Sequence, residues 1–192
     1  MPAKTDHDAR RRDVSEAVWR VLAEHGFGGL TLRAVAAEMC ASTGLLTHYF
    51  PSKQALVHHA LEIAAERSDA IPRLAAEPGI AALRAAMLDV LRATEMNKVW
   101  VGSWDGALVD PERRTGERAR YRRWRSHLRP LVVAAQERGE LRAGDPDDVV
   151  AIVAAFTHGL VVQSLFDSRA FSRARQESLI DTFLEGLRPP RR

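Results

Sequence analysis

Two very short helical segments, joined by one tight turn near the start of the chain, constrain the fold of this sequence most. In residues 31–39 apolar side chains recur at helical spacing, but the pattern breaks after about eight residues at Cys40 and Ala41. Ser42 begins the next helical stretch, which ends before Pro51 because the residue before a proline avoids the α region. Helices of two turns are marginal in water. Both segments must therefore pack on longer neighbours.

The sequence supplies a long helix on each side of this pair. The preceding helix has an apolar face made of Val14, Ala17, Val18, Val21 and Leu22. Gly26 predicts its end, since glycine adopts the left-handed conformation of helix ends, and residues 27–29 are predicted to form a loop. A fourth helix follows the pair and extends to about Ile71. Hydroxyl residues are the predicted N-caps of the second, third and fourth helices: Thr31, Ser42 and Ser52.

The rest of the chain is also helical in pattern, and no segment alternates as a strand does. Five further helices are predicted, at about 80–93, 96–108, 111–138, 146–166 and 172–187. Asp110-Pro111 and Asp145-Pro146 are matching start signals, because aspartate caps a helix and proline suits its first position. Pro130 is predicted to kink or break the seventh helix, since it removes a backbone donor. The predicted fold class is therefore all-α, with about nine helices.

Composition excludes several classes of protein. Of the 192 residues, 28% are charged and 46% hydrophobic, which is ordinary for a folded soluble chain. The single cysteine, Cys40, excludes an internal disulfide and fits a reducing, cytoplasmic setting. Met1 to Asp13 is polar, so no signal peptide is expected. Residues 149–166 are long enough to span a bilayer, but polar residues interrupt them, and we interpret them as a buried helix.

Charge alone does not indicate a partner. The formal net charge of +3 is too small to predict nucleic-acid binding. Residues 1–60 hold seven Lys+Arg and six Asp+Glu, so local contacts must position any nucleic acid. The segment from Arg113 to Arg129 contains eight arginines. A solvated helix face is the preferred interpretation of this segment, and a second nucleic-acid site is the alternative.

The second helix, the turn and the third helix form the arrangement called helix-turn-helix. Its second helix suits the major groove of DNA, which is about 12 Å wide and admits one helix. Leu46, Tyr49 and Phe50 are predicted to point inward and to anchor the third helix. The opposite face then carries Ser42, Thr43, Gly44, Leu45, Thr47 and His48. Small residues at the start of this helix allow a phosphate to approach closely.

Residues Leu32 to Leu56, LRAVAAEMCASTGLLTHYFPSKQAL, resemble the DNA-binding signature of the TetR family of transcriptional regulators. The matching residues are Thr31, Leu32, Arg33, Val35, Ala36, Ser42, Gly44, Leu46, Tyr49, Phe50, Lys53 and Leu56. The resemblance implies a helix-turn-helix DNA-binding domain in residues 1–54 and a helical effector-binding and dimerisation domain in residues 55–192. Two departures stand out: Cys40 replaces the usual glycine of the turn, and Thr47 replaces a tyrosine that contacts the DNA backbone. A cysteine at positive φ would cost on the order of 1 kcal/mol.

The resemblance also implies which side chains contact DNA. They are Thr31, Arg33, Ser42, Thr43, Gly44, Leu45, Thr47, His48, Tyr49 and Lys53. Leu45 stands where threonine or asparagine is common, and an apolar side chain there fits a thymine methyl group. The alternatives are structural: Tyr49 and Phe50 as core residues, and His48 and Lys53 as solvated surface residues.

Two helices near the C-terminus are predicted to form a dimer interface. The eighth helix is apolar nearly all round, with small residues that admit another helix closely, and the ninth has a broad apolar stripe. Two such helices from each subunit make an intermolecular four-helix bundle. The predicted interface residues are Ala151, Ala155, Gly159, Val162, Leu179, Ile180, Phe183 and Leu187. A twofold dimer sets two recognition helices about 34 Å apart or somewhat more, which predicts an inverted-repeat operator.

Trp100 and Trp104 lie one helical turn apart, and further aromatic residues follow them. Core packing is the first interpretation, since aromatic stripes at helical spacing usually lie in cores. The second is an effector pocket whose tryptophan rings face a cation. The candidate residues are Met96, Trp100, Trp104, Tyr121, Trp124, His127, Phe156 and His158. The stretches Trp-x-x-x-Trp-Asp and Arg-Tyr-Arg-Arg-Trp-Arg resemble the choline-responsive branch of the family.

The sequence favours a ligand-responsive DNA-binding regulator in the bacterial cytoplasm, associated with the nucleoid. It is expected to be a repressor that binds a palindromic operator as a homodimer and is released by a small-molecule effector. An all-helical enzyme or small-molecule carrier is the alternative, and a helical interaction module without DNA is a third. No catalytic residue, cofactor, metal or membrane contact is predicted. A redox role for Cys40 and a metal at His58 and Glu62 are the weaker possibilities.

Overall fold

The computed structural model describes residues 3–69 and 78–190, and within these residues the chain forms nine helices and no strand. The predicted all-α class is confirmed. The helices are α1 (Ala3–Gly29), α2 (Leu32–Glu38), α3 (Thr43–Tyr49), α4 (Lys53–Asp69), α5 (Ile80–Arg92), α6 (Thr94–Val109), α7 (Pro111–Glu137), α8 (Pro146–Phe166) and α9 (Arg173–Gly186). The predicted end of the fourth helix at Ile71 lies outside the described residues.

The described residues group into two compact units. The first takes in those of Met1–Ile71 together with Lys98–Asp105, and the second those of Pro72–Asn97 together with Gly106–Arg192. In the first unit α1 packs on α4 and α2, and α2 packs on α3. In the second, α7 packs on α8, and α5 packs on α7, α8 and α9. The division at residue 54 stays a prediction, and the first unit differs from it by including α4 and the middle of α6.

The predicted apolar face of α1 forms the centre of the first unit, and all five of its residues are buried. Gly26 adopts φ 62 and interrupts the helix, as predicted. The prediction of a loop at residues 27–29 is wrong, because these residues form a further helical turn after the interruption. Leu30 follows directly and is fully buried, so this extra turn brings an apolar side chain into the core.

Two of the three predicted hydroxyl caps form. Thr31 Oγ1 accepts a hydrogen bond from Ala34 N at 3.1 Å, and Ser52 Oγ accepts one from Ala55 N at 3.1 Å. Ser42 lies at the N-cap position of α3 with extended backbone angles, but its side chain makes no cap hydrogen bond. The predicted side-chain cap at Ser42 is therefore wrong, and its carbonyl oxygen accepts the first hydrogen bond of the helix instead.

The second unit uses the predicted aspartate caps. Asp110 Oδ1 accepts from Glu112 N at 2.9 Å, and Asp145 Oδ1 accepts from Asp147 N at 2.9 Å. Each aspartate is followed by a proline in the first turn. Proline suits this position because the N–H that it lacks would have no partner within the helix. These caps begin the two long helices that pack on each other, α7 and α8.

A break at Pro130 does not occur, since α7 runs continuously from Pro111 to Glu137. A proline inside a helix costs about 3 kcal/mol or more. Leu128, Val132 and Ala135 lie on both sides of the proline, and all three are fully buried. Their burial keeps the helix on its neighbours across Pro130 and outweighs the local cost.

Among the described residues one helix, α8, is long and apolar enough to cross a membrane by length and composition alone. Of its most apolar 18-residue stretch, 39% is buried inside the protein. α8 packs on α7 and α5, and its buried residues recur between Val149 and Val161. This packing agrees with the interpretation of α8 as a core helix of a folded unit.

The turn between α2 and α3 keeps a left-handed residue although no glycine is present. Cys40 adopts φ 50. Its N–H donates to Ala37 O at 3.0 Å, and the N–H of Ala41 donates to Ala36 O at 2.9 Å. This pair of bonds is the Schellman motif, in which glycine usually takes the left-handed position. The cysteine therefore adopts the glycine conformation and bears its steric cost.

Replacing Cys40 by glycine is expected to raise the free energy of unfolding by about 1 kcal/mol, because glycine has no Cβ to strain at positive φ. Urea denaturation of Cys40→Gly and Cys40→Ala provides the comparison. Both variants lack the thiol, but only the alanine keeps a Cβ, so Cys40→Ala is expected to match the natural chain. Equal stability of the two variants would contradict the assignment of strain to this residue.

Candidate nucleic-acid interface

The third helix is anchored by its apolar side and by the residue that follows it. Leu46 is fully buried, and Phe50 is buried directly after the helix, where its extended backbone ends α3 before Pro51. The structural interpretation of Phe50 as a core residue is therefore confirmed. Tyr49 is half-buried, and its ring lies edge-on to that of His48 with centroids 5.7 Å apart.

The opposite side of α3 faces solvent. Leu45 is half-buried, and the exposed residues of this side are Ser42, Thr43, Gly44, Thr47 and His48. Thr47 Oγ1 donates to Gly44 O at 2.9 Å, so its hydroxyl proton is used within the helix. A Cβ added at Gly44 would meet nothing nearer than Ser42 Oγ at 3.8 Å. The protein itself therefore does not require glycine here, and the bare backbone is open to a partner.

The remaining predicted DNA contacts flank this face in the chain. Thr31 and Arg33 are exposed at the start of α2, and Lys53 is exposed at the first position of α4. The hydroxyl oxygen of Thr31 already accepts the cap hydrogen bond of α2. Ser52 holds the start of α4 in the same way, directly beside Lys53. Two capped helix starts and one helix face thus carry all the predicted contacts except Tyr49, which is half-buried.

Ion pairs link α1 to α2 and to α4 in the first unit. Arg20 on α1 donates to Glu38 on α2 at 2.5 Å, and Arg67 on α4 donates to Glu16 on α1 at 2.5 Å. The guanidinium of Arg67 also lies 4.6 Å from the ring centroid of Trp19. Exposed pairs of this kind contribute at most about 1 kcal/mol each. They add little to the packing of helices that burial already holds together.

The eight predicted effector residues fall in both units. Trp100 and Trp104 belong to the first unit, and the other six belong to the second. Their convergence on one pocket therefore stays a prediction. Trp100 and Met96 are buried, and the indole N–H of Trp104 is buried without a hydrogen-bond partner among the described residues.

Within the second unit, α7 and α8 form a polar aromatic cluster. The rings of Tyr121 and His158 meet edge-on with centroids 5.1 Å apart, and the Arg120 guanidinium lies 4.4 Å from the Tyr121 ring centroid. Arg120 donates to Glu117 Oε2 at 2.7 Å, and both side chains are largely buried. The indole N–H of Trp124 is buried and finds no acceptor in the described part of the chain. A buried donor of this kind is open to a ligand that brings an acceptor.

Sequence reasoning missed the pair of Glu117 and Arg120, because the arginine-rich segment was interpreted as a solvated face. The available signal was the single acid between Arg113 and Arg129, which is Glu117. The ring of Phe156 is stacked on that of Phe183 of α9, with 4.0 Å between the ring centroids.

The predicted dimer residues have three different surroundings. Ala151, Ala155 and Gly159 are exposed along one line of α8, whereas Ile180 and Leu187 are buried in the core of their own subunit. The half-buried ones are Val162, Leu179 and Phe183. Sequence reasoning missed the two large apolar side chains that α8 exposes, Ile152 and Phe166, the second 82% exposed.

The structure gives little support to a metal site at His58 and Glu62 or to a redox role for Cys40. In the residues described, no group of three or more His, Cys, Asp or Glu could hold a metal ion. His58 and Glu62 form an exposed ion pair at 3.4 Å. Cys40 is exposed and free.

Two matches to known families cover most of the chain. Residues 15–60 match the bacterial regulatory proteins of the tetR family, and residues 76–189 match the C-terminal region of BetI-type transcriptional repressors. The protein is thus a helix-turn-helix transcriptional regulator. It belongs to the TetR family, and its C-terminal region is of the BetI type. The prediction of a regulator rather than an enzyme is confirmed.

Individual relatives agree with this assignment. BetI of Burkholderia mallei (strain NCTC 10229) is 26% identical over 199 residues that cover 100% of both chains. PksA of Bacillus subtilis (strain 168) is 39% identical over 67 residues, which are 35% of this chain and 33% of PksA. A transcriptional regulator from Saccharomonospora viridis, solved in complex with choline, has a TM-score of 0.81 at 24% identity and covers 93% of this chain and 96% of its own. The similarity to this solved structure confirms the fold.

The polar aromatic cluster of α7 and α8 contains a histidine whose pKa predicts how stability changes in acid. Burial, and secondly the positive charge of Arg120, lower the pKa of His158 from its ordinary value near 6.5 to about 4. The folded state therefore disfavours the charged ring. Neutral His158 makes its whole contribution to the free energy of unfolding above pH 6.5, and this contribution is lost as the pH falls toward 4.

The glutamine of His158→Gln cannot take up this proton. Between pH 7 and pH 4 we therefore expect the free energy of unfolding of this variant to fall by about 3 kcal/mol less than that of the natural chain. Urea denaturation at pH 7, 5 and 4 measures the difference. His25→Gln, at a histidine whose side chain is 54% exposed, is the control. The same pH dependence in both variants would contradict the prediction.

Proposed function

We propose that this regulator is a repressor that binds a palindromic operator as a homodimer and is released by a small-molecule effector, in the bacterial cytoplasm at the nucleoid. The observation that carries the proposal is the exposed polar face of α3, held from behind by buried Leu46 and Phe50. A short rigid helix of this kind fits the major groove without rearrangement of the protein.

The proposed contacts divide by chemistry. Thr43 and His48 offer hydrogen-bonding groups to base edges or to phosphates, and Leu45 offers an apolar contact to a thymine methyl group. Ser42 and Gly44 allow the backbone to approach the duplex. Thr31, Arg33, Thr47, Tyr49 and Lys53 are proposed to position the duplex through its phosphates or the wall of the groove.

Dimerisation is proposed through α8 and α9. The exposed line of Ala151, Ala155 and Gly159 lets a second helix approach closely. Ile152 and Phe166 supply apolar area that is exposed in the single chain. Burial of such area contributes about 25 cal/mol per Å². A twofold axis through this face would present two copies of α3 to two half-sites of one operator.

The effector is proposed to bind near the aromatic residues of the second unit. Choline is the first compound to test, since the similar Saccharomonospora viridis regulator was solved with choline. One face of Tyr121 is already covered by Arg120, so a quaternary ammonium would need the opposite face or other rings. By linkage, an effector that lowers operator affinity is itself bound more weakly, by the same factor, in the presence of operator.

Replacing Lys53 by alanine tests the proposed interface. We expect weaker binding to the DNA upstream of the protein's own gene, because each dimer would lose two phosphate contacts. The slope of log Kd against log salt is then expected to fall by about 0.9 per lost contact, or about 2 for the dimer. Fluorescence anisotropy with labelled duplexes measures both effects.

Arg175→Ala is the matched control, since Arg175 is an exposed arginine of α9 outside the proposed interface. Its salt dependence is expected to equal that of the natural protein. The proposal fails if the natural protein shows no salt-sensitive, sequence-selective binding to any inverted repeat. The role of Lys53 fails if its variant keeps the full salt slope.

Replacing Ala155 by arginine is expected to break the dimer, because a long charged side chain would enter the close helix contact. Sedimentation velocity should then show a folded monomer, and operator affinity should fall. Gly116→Arg adds the same side chain to an exposed position of α7 and should leave the dimer intact. A dimer that persists in Ala155→Arg would contradict this interface.

A further inference from the structure

Two consecutive histidines on α4 have different surroundings. The side chain of His58 is 63% exposed, and its Nε2 lies 3.4 Å from one carboxylate oxygen of Glu62. The side chain of His59 is only 25% exposed, and its Nδ1 lies 3.5 Å from the other oxygen of the same carboxylate. The two rings share one surface partner, but only His59 turns toward the interior of the first unit.

His59 also reaches the first helix. Its Nε2 is hydrogen-bonded to the Ser15 hydroxyl at 3.0 Å in a partly buried position, across 44 residues of sequence. Ser15 follows the buried residue Val14 on α1. The bond therefore ties α4 to α1 at one defined point of their packed surface.

The ring of His59 lies against the end of the third helix as well. The ring centroids of His59 and Phe50 are 5.2 Å apart, with the planes tilted by 38°. Phe50 follows α3 directly, and its N–H donates to Leu46 O at 2.8 Å, which closes the last turn of the helix. Phe50 thus links the last turn of α3 to the ring of His59.

We propose that His59 is a positioning residue for DNA recognition. One ring joins α1, α4 and the end of α3, and it holds the exposed face of α3 at the angle required by a duplex. The inference rests on the proposed function of α3. A helix of two turns has little stability of its own, so a contact at its end reduces the ordering needed at the moment of binding.

Two variants remove the contact in different ways. His59→Leu keeps an apolar side chain of similar size but lacks the hydrogen bond and the planar ring. Ser15→Ala removes only the hydroxyl and is the milder change if the first variant folds poorly. Each is expected to raise the operator Kd about fivefold, the size expected for one hydrogen bond, while circular dichroism still shows a folded protein at 25 °C.

Two further variants separate positioning from general packing. His59→Gln places an amide nitrogen near the site of Nε2 and is expected to restore much of the affinity lost in His59→Leu. The double variant Ser15→Ala/His59→Leu is expected to bind within about twofold of His59→Leu, because both changes remove the same bond. His58→Leu is the matched control, on the same helix and beside the same Glu62, and should bind as the natural protein does.

Amide hydrogen exchange at Phe50 tests the contact without DNA. We expect exchange about fivefold faster in His59→Leu and Ser15→Ala than in His58→Leu, because the last turn of α3 is released. Equal operator affinity in His59→Leu and His58→Leu, or unchanged exchange at Phe50, would overturn the inference. Failure of the proposed function would give a different result, because the natural protein itself would then bind no operator.

Discussion

The burial of two side chains at the third helix is the interaction on which the rest of this protein depends. The helix spans only Thr43–Tyr49, and a helix of two turns does not hold its shape in water through its own hydrogen bonds. Leu46 and Phe50 are buried in the first unit, and each contributes about 1.5–3 kcal/mol. Because the apolar side is held, the polar side stays exposed at a defined place. The proposed reading of DNA by this helix depends on that rigidity before binding.

Much of the fold could be predicted from the sequence because its signals are local. Gly26, Pro51 and the Asp-Pro pairs mark helix ends within a few residues, and the structure follows them. Local signals are less informative where other contacts stabilise the backbone. Pro130 does not break α7, because buried residues on both sides hold the helix in place. Cys40 adopts a conformation typical of glycine in a turn that two backbone hydrogen bonds close.

The exposed face of α3 was predictable for a related reason: once the inward residues of a two-turn helix are known, the outward ones follow from periodicity. The effector region was not. Which partners Tyr121 and His158 meet depends on how α7 packs on α8, and the sequence contains no local signal for that packing. The same holds for Ile180, which is apolar at helical spacing but buried within its own chain. Spacing finds apolar faces but does not tell which neighbour covers them.

The central claim is that two copies of α3 enter the major groove of one operator. Dimethyl sulfate protection tests it most directly, because guanine N7 lies in the major groove. We expect the bound protein to protect guanines in two clusters on one face of the duplex, about 34 Å apart or somewhat more, with the Ala155→Arg variant losing this paired pattern at the same concentration. Guanines that stay reactive in the bound operator, or a single protected cluster, would contradict the account.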